Sequence, residues 1–292
     1  MTTLPKPARG LSWLLGAATL SIGLVAIQKG ASAQPVAAQA PIVSLEYDNA
    51  SRTLWRATSK TLASSSDEGR TWTPLVVPAS AKGDISAVAV SVRDPNAIYI
   101  GGQGMGVLRS QDRGRKWAAG NKGLPSRKVV ALSVHSDQAR TVYAYIDGKG
   151  IFRSQDAGAN WRLMDLGPRD AIVDFVHTNM PGSMETGWLF AAKTKGVGRS
   201  MDCFCGWHAA GKVTGTFHAV SYDPDQPERV YAAAREGFFV STDGGEQWNR
   251  MKTPTGTITA LTATLGGGLY AATDGKLIRS RDRGVTWENV DE

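Results

Sequence analysis

A short pattern, Ser-x-Asp-x-Gly-x-x-Trp, recurs along this chain and constrains its fold more than any other feature. Five copies are intact, and the fourth of the six has Phe204 at the glycine position. The intervals between successive aspartates are 45, 44, 46, 41 and 39 residues, and the aspartates are Asp67, Asp112, Asp156, Asp202, Asp243 and Asp282. A regular period of this length indicates a repeated supersecondary unit rather than one active site.

Each residue type in the pattern has a role in a tight turn. Ser and Asp oxygens can accept hydrogen bonds from nearby backbone N–H groups, and Gly can adopt a positive φ. The Trp starts the next strand and anchors it in the core. We therefore interpret the six aspartates as structural, together with the tryptophans that follow them: Trp72, Trp117, Trp161, Trp207, Trp248 and Trp287.

Around each copy the sequence predicts four strands. In the fifth repeat, apolar runs at residues 217–222, 229–234 and 238–241 are separated by turn signals, and a further strand begins at Trp248. Six such repeats favour a closed ring, because closure protects the sheet edges. We predict an all-β fold, a six-bladed β-propeller with four-stranded antiparallel blades over residues 42–292, closed by blade packing rather than by a shared strand.

The repeat resembles the Asp-box, or bacterial neuraminidase (BNR), repeat of β-propellers over about residues 42 to 290. Proteins with this repeat include sialidases, sortilin-like receptors and photosystem II stability/assembly factor-like proteins. The resemblance implies that each box lies on the hairpin before the outermost strand, away from the binding face. It favours a fold more strongly than a function.

A complete sialidase site is not expected. No Arg-Ile-Pro segment occurs, and the inner strands predicted for the second to sixth repeats contain no Arg or Lys to bind a substrate carboxylate. Asp174 and Tyr222 can reach a central channel, where we interpret them as structural. The prediction is a non-enzymatic binding or assembly-scaffold propeller, and the alternative is an exported glycoside hydrolase, sialidase-like, or a glycan-binding lectin.

The N-terminal residues differ from the repeats. Lys6 and Arg9 precede an apolar run, and Ala31-Ser32-Ala33 offers a cleavage site. Residues 1–33 therefore predict a signal peptide, either removed or retained as an anchor, and residues 34–41 predict a linker. Cleavage would lower the net charge from +7 to +4, since it removes three cations and no acid. We expect a periplasmic or extracellular protein.

Cysteine and histidine offer weak metal signals. The four histidines follow no metal-ligand spacing, and only Cys203-x-Cys205-x-x-His208 resembles a ligand cluster. In an exported chain the cysteines can instead form a local disulfide or paired thiols, or leave one reactive thiol. We predict no metal site and no cofactor.

An arginine precedes the box serine in four repeats, as Arg109, Arg153, Arg199 and Arg279. We interpret these as structural, stacked on a box Trp or paired across blades.

Propeller topology places two sets of loops on one face: the turns between second and third strands and the connections between blades. The turns carry Lys60, Lys149, Lys193, Lys195, Arg235 and Lys276, and the connections carry Lys82, Lys122, Arg127, Lys128, Arg169, Lys212 and Lys252. Five acids accompany these thirteen cations. We call this set the basic face, and ten of its cations, all except Lys82, Lys212 and Lys252, are the predicted binding residues.

The basic face predicts docking of an acidic protein segment or another anionic ligand, and a solvated rim is the alternative. The family resemblance implies a membrane-protein client. We expect a monomer and no nucleic acid.

Overall fold

A computed structural model describes residues 40–290 of the chain. The predicted signal peptide and most of the predicted linker lie outside these residues. Among the residues described, no helix is long and apolar enough to cross a bilayer.

The described residues form six four-stranded sheets. Their strands are β1 Ile42–Asp48, β2 Thr53–Thr58, β3 Leu62–Ser65 and β4 Thr73–Leu75 in blade 1; β5 Asp84–Val90, β6 Ile98–Gln103, β7 Gly106–Ser110 and β8 Ala118–Ala119 in blade 2; β9 Val129–Val134, β10 Val142–Ile146, β11 Gly150–Ser154 and β12 Arg162–Asp165 in blade 3; β13 Ile172–Thr178, β14 Trp188–Lys193, β15 Val197–Met201 and β16 His208–Ala209 in blade 4; β17 Phe217–Asp223, β18 Gln226–Ala234, β19 Gly237–Ser241 and β20 Asn249–Met251 in blade 5; and β21 Ile258–Ala263, β22 Leu269–Thr273, β23 Lys276–Ser280 and β24 Glu288–Asn289 in blade 6. A 3-10 turn at Leu265–Gly267 follows β21.

The sheets confirm the predicted six-bladed propeller. In every blade the four strands pair in sequence order and antiparallel, so no strand is shared between the chain's two ends. Blade 6 instead contacts blade 1 directly: the Thr259 hydroxyl donates to the Ile42 carbonyl at 2.9 Å, and the Leu265 amide donates to Asn49 Oδ1 at 2.8 Å. Packing closes the ring, as the sequence predicted.

The apolar core lies between neighbouring blades. Leu45 and Leu54 of blade 1, for example, pack in one cluster with Tyr270 and Leu277 of blade 6. Such clusters join each neighbouring pair of blades around the described ring. Successive side chains of a strand point to opposite faces of its sheet, so each blade has apolar residues on both faces. Each face is buried only by packing against the neighbouring blade.

The box turns close as their residue types predict. In the first copy, Ser65 Oγ donates to Asp67 Oδ1 at 2.7 Å and accepts from the Gly69 amide at 2.8 Å. Asp67 also accepts from the Thr71 hydroxyl at 2.6 Å and from the Thr71 amide at 2.9 Å, and these bonds, the hydroxyl bond first, lower the pKa of Asp67 to about 2. The same serine bond to the fifth box residue recurs in the second, third, fifth and sixth copies. The glycine has a positive φ in each, for example 92° at Gly69.

The box tryptophans differ from prediction in two ways. Each lies immediately before the outermost strand rather than in it, since that strand is only two to four residues long. Of the six, only Trp161 is buried, at 6% exposure, while the others are half-buried. The outer strands are too short and too exposed for every Trp to be fully covered.

The arginines before the boxes reach the following blade. Arg109 Nη1 donates to the Ala157 carbonyl at 3.2 Å, and Arg199 Nη1 donates to the Gly244 carbonyl at 2.6 Å. Arg279 pairs with Glu68, across the junction of blades 6 and 1. Arg153 lies 3.5 Å from the Glu185 carboxylate. This geometry agrees with the structural interpretation.

Candidate functional sites: the basic face and the central channel

Loops of neighbouring blades meet on the predicted basic face. Lys60, in the turn after β2, pairs with Asp84 at the start of β5. The Arg127 carbonyl accepts from the amides of Gly104 at 2.9 Å and Gly106 at 3.2 Å, and the Lys128 carbonyl accepts from the Asp147 amide at 3.0 Å. These bonds tie the within-blade turns to the connections between blades, so both loop sets lie on one face.

Most of the predicted binding cations are exposed there. Eight of the ten face solvent on this face: Lys60, Lys149, Lys195, Arg235, Lys276, Arg127, Lys128 and Arg169. Lys193 differs, because it ends β14 and its side chain is buried against Asp170, 3.5 Å away. Lys122 is also exposed, but its carbonyl accepts from the Trp161 amide at 2.9 Å, so it lies beside the box of blade 3 and not on the basic face as predicted.

On the opposite face, acidic side chains are largely occupied by local structure. Asp48 accepts from the Ala50 amide at 2.9 Å, and Asp225 accepts from the Gly266 amide at 2.6 Å. Asp223 is buried and accepts from Arg283 at 3.1 Å. These acids stabilise turns and blade contacts, whereas most cations of the basic face extend into solvent.

The inner strands surround a cavity of about 660 Å³ at the centre of the ring. No Arg or Lys occurs in β1, β5, β9, β13, β17 or β21, and Arg93, which also lines the cavity, pairs with Asp137 in a turn. Glu46, Asp174 and Tyr222 line the same cavity. The inner strands therefore bring carboxyl groups and no lysine or arginine to the channel, in contrast to the basic face.

The two channel carboxyls have raised pKa values. Burial raises the pKa of Glu46 to about 8, and the charges of Asp174 and Asp48 add to this effect. Burial also raises the pKa of Asp174 to about 7, although amides of Val220 and Phe175 donate to it. Asp174 was expected in the channel and Glu46 was not, although Glu46 is the first acid of an inner strand, β1.

Asp174 also has a structural role in joining blades. Its Oδ2 accepts from the Val220 amide of the next blade at 3.0 Å. Serines make the equivalent link elsewhere: Ser44 to the Val88 amide at 3.1 Å and Ser221 to the Ala263 amide at 3.1 Å. Glu46 has no such role in the described contacts, so it is the freer of the two carboxyls.

The divergent fourth box forms a second polar site. Cys203 and Cys205 are joined in a disulfide there, while His208 is exposed. Ser200 donates to the Met201 carbonyl instead of to Asp202. Asp202 is buried and accepts from the Thr186 hydroxyl at 2.5 Å.

Asp202 lies with two buried histidines in a cluster whose composition suits a metal ion. Its Oδ2 is 3.4 Å from His177 Nε2 and 3.9 Å from His135 Nε2. The residues come from the turn after β9, from β13 and from the turn after β15, so sequence spacing gave no signal of the cluster.

Hydrogen bonds at the far side of each ring oppose metal binding. His135 Nδ1 accepts from the Asp137 amide at 3.0 Å, and His177 Nδ1 accepts from the Ser136 amide at 3.1 Å. A neutral histidine whose Nδ1 accepts must carry its proton on Nε2, which then cannot offer a lone pair to a metal. His135 Nε2 instead meets the Thr186 hydroxyl at 2.7 Å, and burial lowers the pKa of His135 to about 4. The cluster fits a neutral hydrogen-bonded network around an ionised Asp202.

These features define a closed β-propeller with a cationic loop face and a central channel that contains two buried carboxyl groups. No family model and no curated protein matches the chain. Among solved structures, it is similar to the GH74 enzyme of Niastella koreensis, with a TM-score of 0.60 at 14% identity over 85% of this chain and 46% of that one. It is also similar to the GH74 xyloglucanase of Xanthomonas campestris, with a TM-score of 0.61 at 16% identity over 87% of this chain and 55% of that one.

The chain is also similar to YCF48 bound to D1 peptide, with a TM-score of 0.59 at 18% identity over 87% of this chain and 83% of that one. It thus spans about half the length of the two GH74 chains and most of that YCF48 chain. At these identities the likeness establishes the propeller fold and leaves activity open.

Proposed function

We propose that this chain is an exported binding or assembly-scaffold propeller whose basic face docks an acidic protein segment, or another anionic partner, without catalysis at that face. The observation that carries the proposal is the set of eight exposed cations on loops that the ring of blades holds on one face. A similar propeller solved as YCF48 bound to D1 peptide supports peptide binding by this fold.

The electrostatics favour collective recognition. An exposed ion pair contributes only about 0.2 to 1 kcal/mol, so no single lysine is decisive. Several cations on one face raise the local concentration of an acidic segment and speed its capture, an effect that salt screens. Following the family resemblance, we include a membrane-protein client among the proposed partners.

A charge-reversal variant tests the proposal. Lys149, Lys195, Arg235 and Lys276 are exposed on the within-blade turns, and their joint replacement by Glu should leave folding intact. The probe is a fluorescent oligoglutamate peptide, measured by anisotropy with the full-length protein at low and at physiological salt. We expect roughly tenfold weaker binding at low salt and a smaller salt dependence.

The matched control makes the same charge change on the box side. It replaces Arg113, Arg115, Lys116 and Arg140 by Glu, all exposed. Glu is acceptable at position 113, because Glu68 occupies the equivalent position of the first box at a similar positive φ. Equal losses in both variants, or no loss in either, would assign these cations to solvation.

A second candidate is glycan binding or hydrolysis in the channel. It is favoured by the pair of channel carboxyls, Glu46 and Asp174, since glycosidases use two carboxyl groups of different pKa. Turnover of chromogenic glycosides that Glu46→Gln abolishes would support this function over the non-catalytic scaffold.

A further inference from the structure

Ser136 occupies an unusual place at the end of the channel. It follows His135 in the turn after β9, is half-buried, and lines the central cavity. Asn49 and Asn179, from the equivalent turns of blades 1 and 4, line the same end. We call this end the box-side mouth, because these turns lie on the face opposite the basic loops.

The Ser136 hydroxyl contacts a histidine that is oriented by a carboxylate. Ser136 Oγ lies 3.0 Å from His177 Nδ1, and His177 Nε2 lies 3.4 Å from Asp202 Oδ2. Since Nδ1 accepts from the Ser136 amide, the ring proton of neutral His177 belongs on Nε2, facing Asp202. The lone pair that faces the Ser136 hydroxyl is therefore the one a general base needs.

The base and the carboxylate are held by their surroundings. The His177 ring stacks on His135, with centroids 4.0 Å apart, and on Tyr143, at 5.6 Å. Burial alone would raise the pKa of Asp202, but hydrogen bonds from His177 and Thr186 outweigh it and lower this pKa to about 2. Asp202 is thus an anion that can stabilise an imidazolium at His177.

We propose that Ser136, His177 and Asp202 form a nucleophile–base–carboxylate triad that hydrolyses small carboxylic esters at the box-side mouth of the channel. The proposal concerns a different face from the docking surface and does not depend on it. It also gives the fourth box, which lacks the usual serine–aspartate bond, a role in chemistry.

The reaction proceeds through an acyl-enzyme. Ser136 Oγ attacks the ester carbonyl carbon while its proton passes to His177 Nδ1. The tetrahedral intermediate collapses, the bond to the alcohol oxygen breaks, and that oxygen takes the proton from His177. Water, deprotonated by His177, then attacks the acyl-serine, releasing the carboxylic acid and restoring Ser136.

One donor is available for the oxyanion. Tyr222 lines the same cavity and lies within hydrogen-bonding reach of Ser136. Burial and the charge of Glu46 raise the pKa of Tyr222, so its phenol remains a neutral donor.

The test uses the full-length protein with p-nitrophenyl acetate as substrate and a fluorophosphonate as the serine-directed probe. We expect ester turnover and a fluorophosphonate adduct that mass spectrometry locates on Ser136. Ser136→Ala should lower turnover at least about a hundredfold, because the acyl-enzyme can no longer form, and should remove the adduct. Tyr222→Phe should lower turnover but keep the adduct.

Ser44→Ala is the matched control, because Ser44 lines the same channel but its hydroxyl accepts the Val88 amide rather than facing a histidine. It should retain turnover and labelling. His177→Gln removes the base from a buried stack and can unfold the blade, so the Ser136 and Tyr222 variants decide the question. Undiminished turnover in Ser136→Ala, or an adduct on another residue, overturns the triad. Activity that chelators abolish and zinc restores also overturns it, in favour of a metal at His135, His177 and Asp202.

Discussion

Replacing Trp161 by Ala tests the claim that the boxes stabilise the ring. This side chain is 6% exposed, packs in the cluster between blades 2 and 3, and donates its indole N–H to the Gly120 carbonyl at 2.8 Å. Truncating a buried aromatic costs about 3 to 5 kcal/mol, and leaving the carbonyl unpaired adds roughly 1 kcal/mol. We therefore expect a loss of about 4 to 6 kcal/mol in the free energy of unfolding.

Urea unfolding followed by tryptophan fluorescence and circular dichroism measures this loss as a lower midpoint at unchanged slope. Trp117→Ala is the matched control: Trp117 has the same box position but is half-buried, and its indole nitrogen has no partner. Trp117→Ala should lower the free energy of unfolding by about 1 to 3 kcal/mol, because the half-buried side chain contributes less buried apolar surface. If Trp117→Ala costs as much as Trp161→Ala, burial does not explain the role of the box tryptophans.

Two further predictions concern pH. The pKa of Asp67 and that of Asp282 are lowered to about 2, chiefly by hydrogen bonds from Thr71 and Thr286, so their stabilisation is present above the ordinary value of 3.8 and is lost as pH falls toward 2. The urea midpoint of the wild type should fall steeply from pH 4 to 2, and that of the double variant Asp67→Asn/Asp282→Asn should fall less steeply. If the two midpoints fall in parallel, the box aspartates do not cause the acid sensitivity. The effect of Glu46 on stability has the opposite sign. Its pKa is about 8 in the folded protein and near 4.5 in the unfolded chain, so its ionisation opposes folding increasingly as pH rises from 4.5 to 8. The free energy of unfolding of Glu46→Gln, from urea midpoints, should equal that of the wild type at pH 4 and exceed it by at least about 1 kcal/mol at pH 8. A wild type as stable as the variant at pH 8 would contradict the raised pKa.

Much of the fold could be predicted because its signals are local. The box joins residues four positions apart, for example through the bond from the Gly69 amide to Ser65 Oγ. Its structure can therefore be predicted from the residues of one turn. Strand limits were less certain, since hydrogen bonding extends a strand past its apolar run. The fifth inner strand, predicted at residues 217–222, ends at Asp223, and the next begins at Gln226 rather than at residue 229.

The basic face was only partly predictable from the sequence. Turn position identified its cations, and nine of the ten predicted binding cations are exposed. Turn position did not predict that Lys193 would end β14 and be buried against Asp170. Exposure depends on the neighbouring blade, which the local sequence does not describe.

The sequence by itself determined the repeating unit, the number of blades and the turn chemistry, because each depends on residues close together in the chain. Only the tertiary structure decided which polar groups meet in the channel. Ser136 and His177 are 41 residues apart, and His177 and Asp202 are 25 apart. Their contact depends on how two blades pack and on which side chains of β13 face the neighbouring blade. A one-residue shift in strand register would turn His177 to the opposite face of its sheet, and composition and spacing do not specify that register.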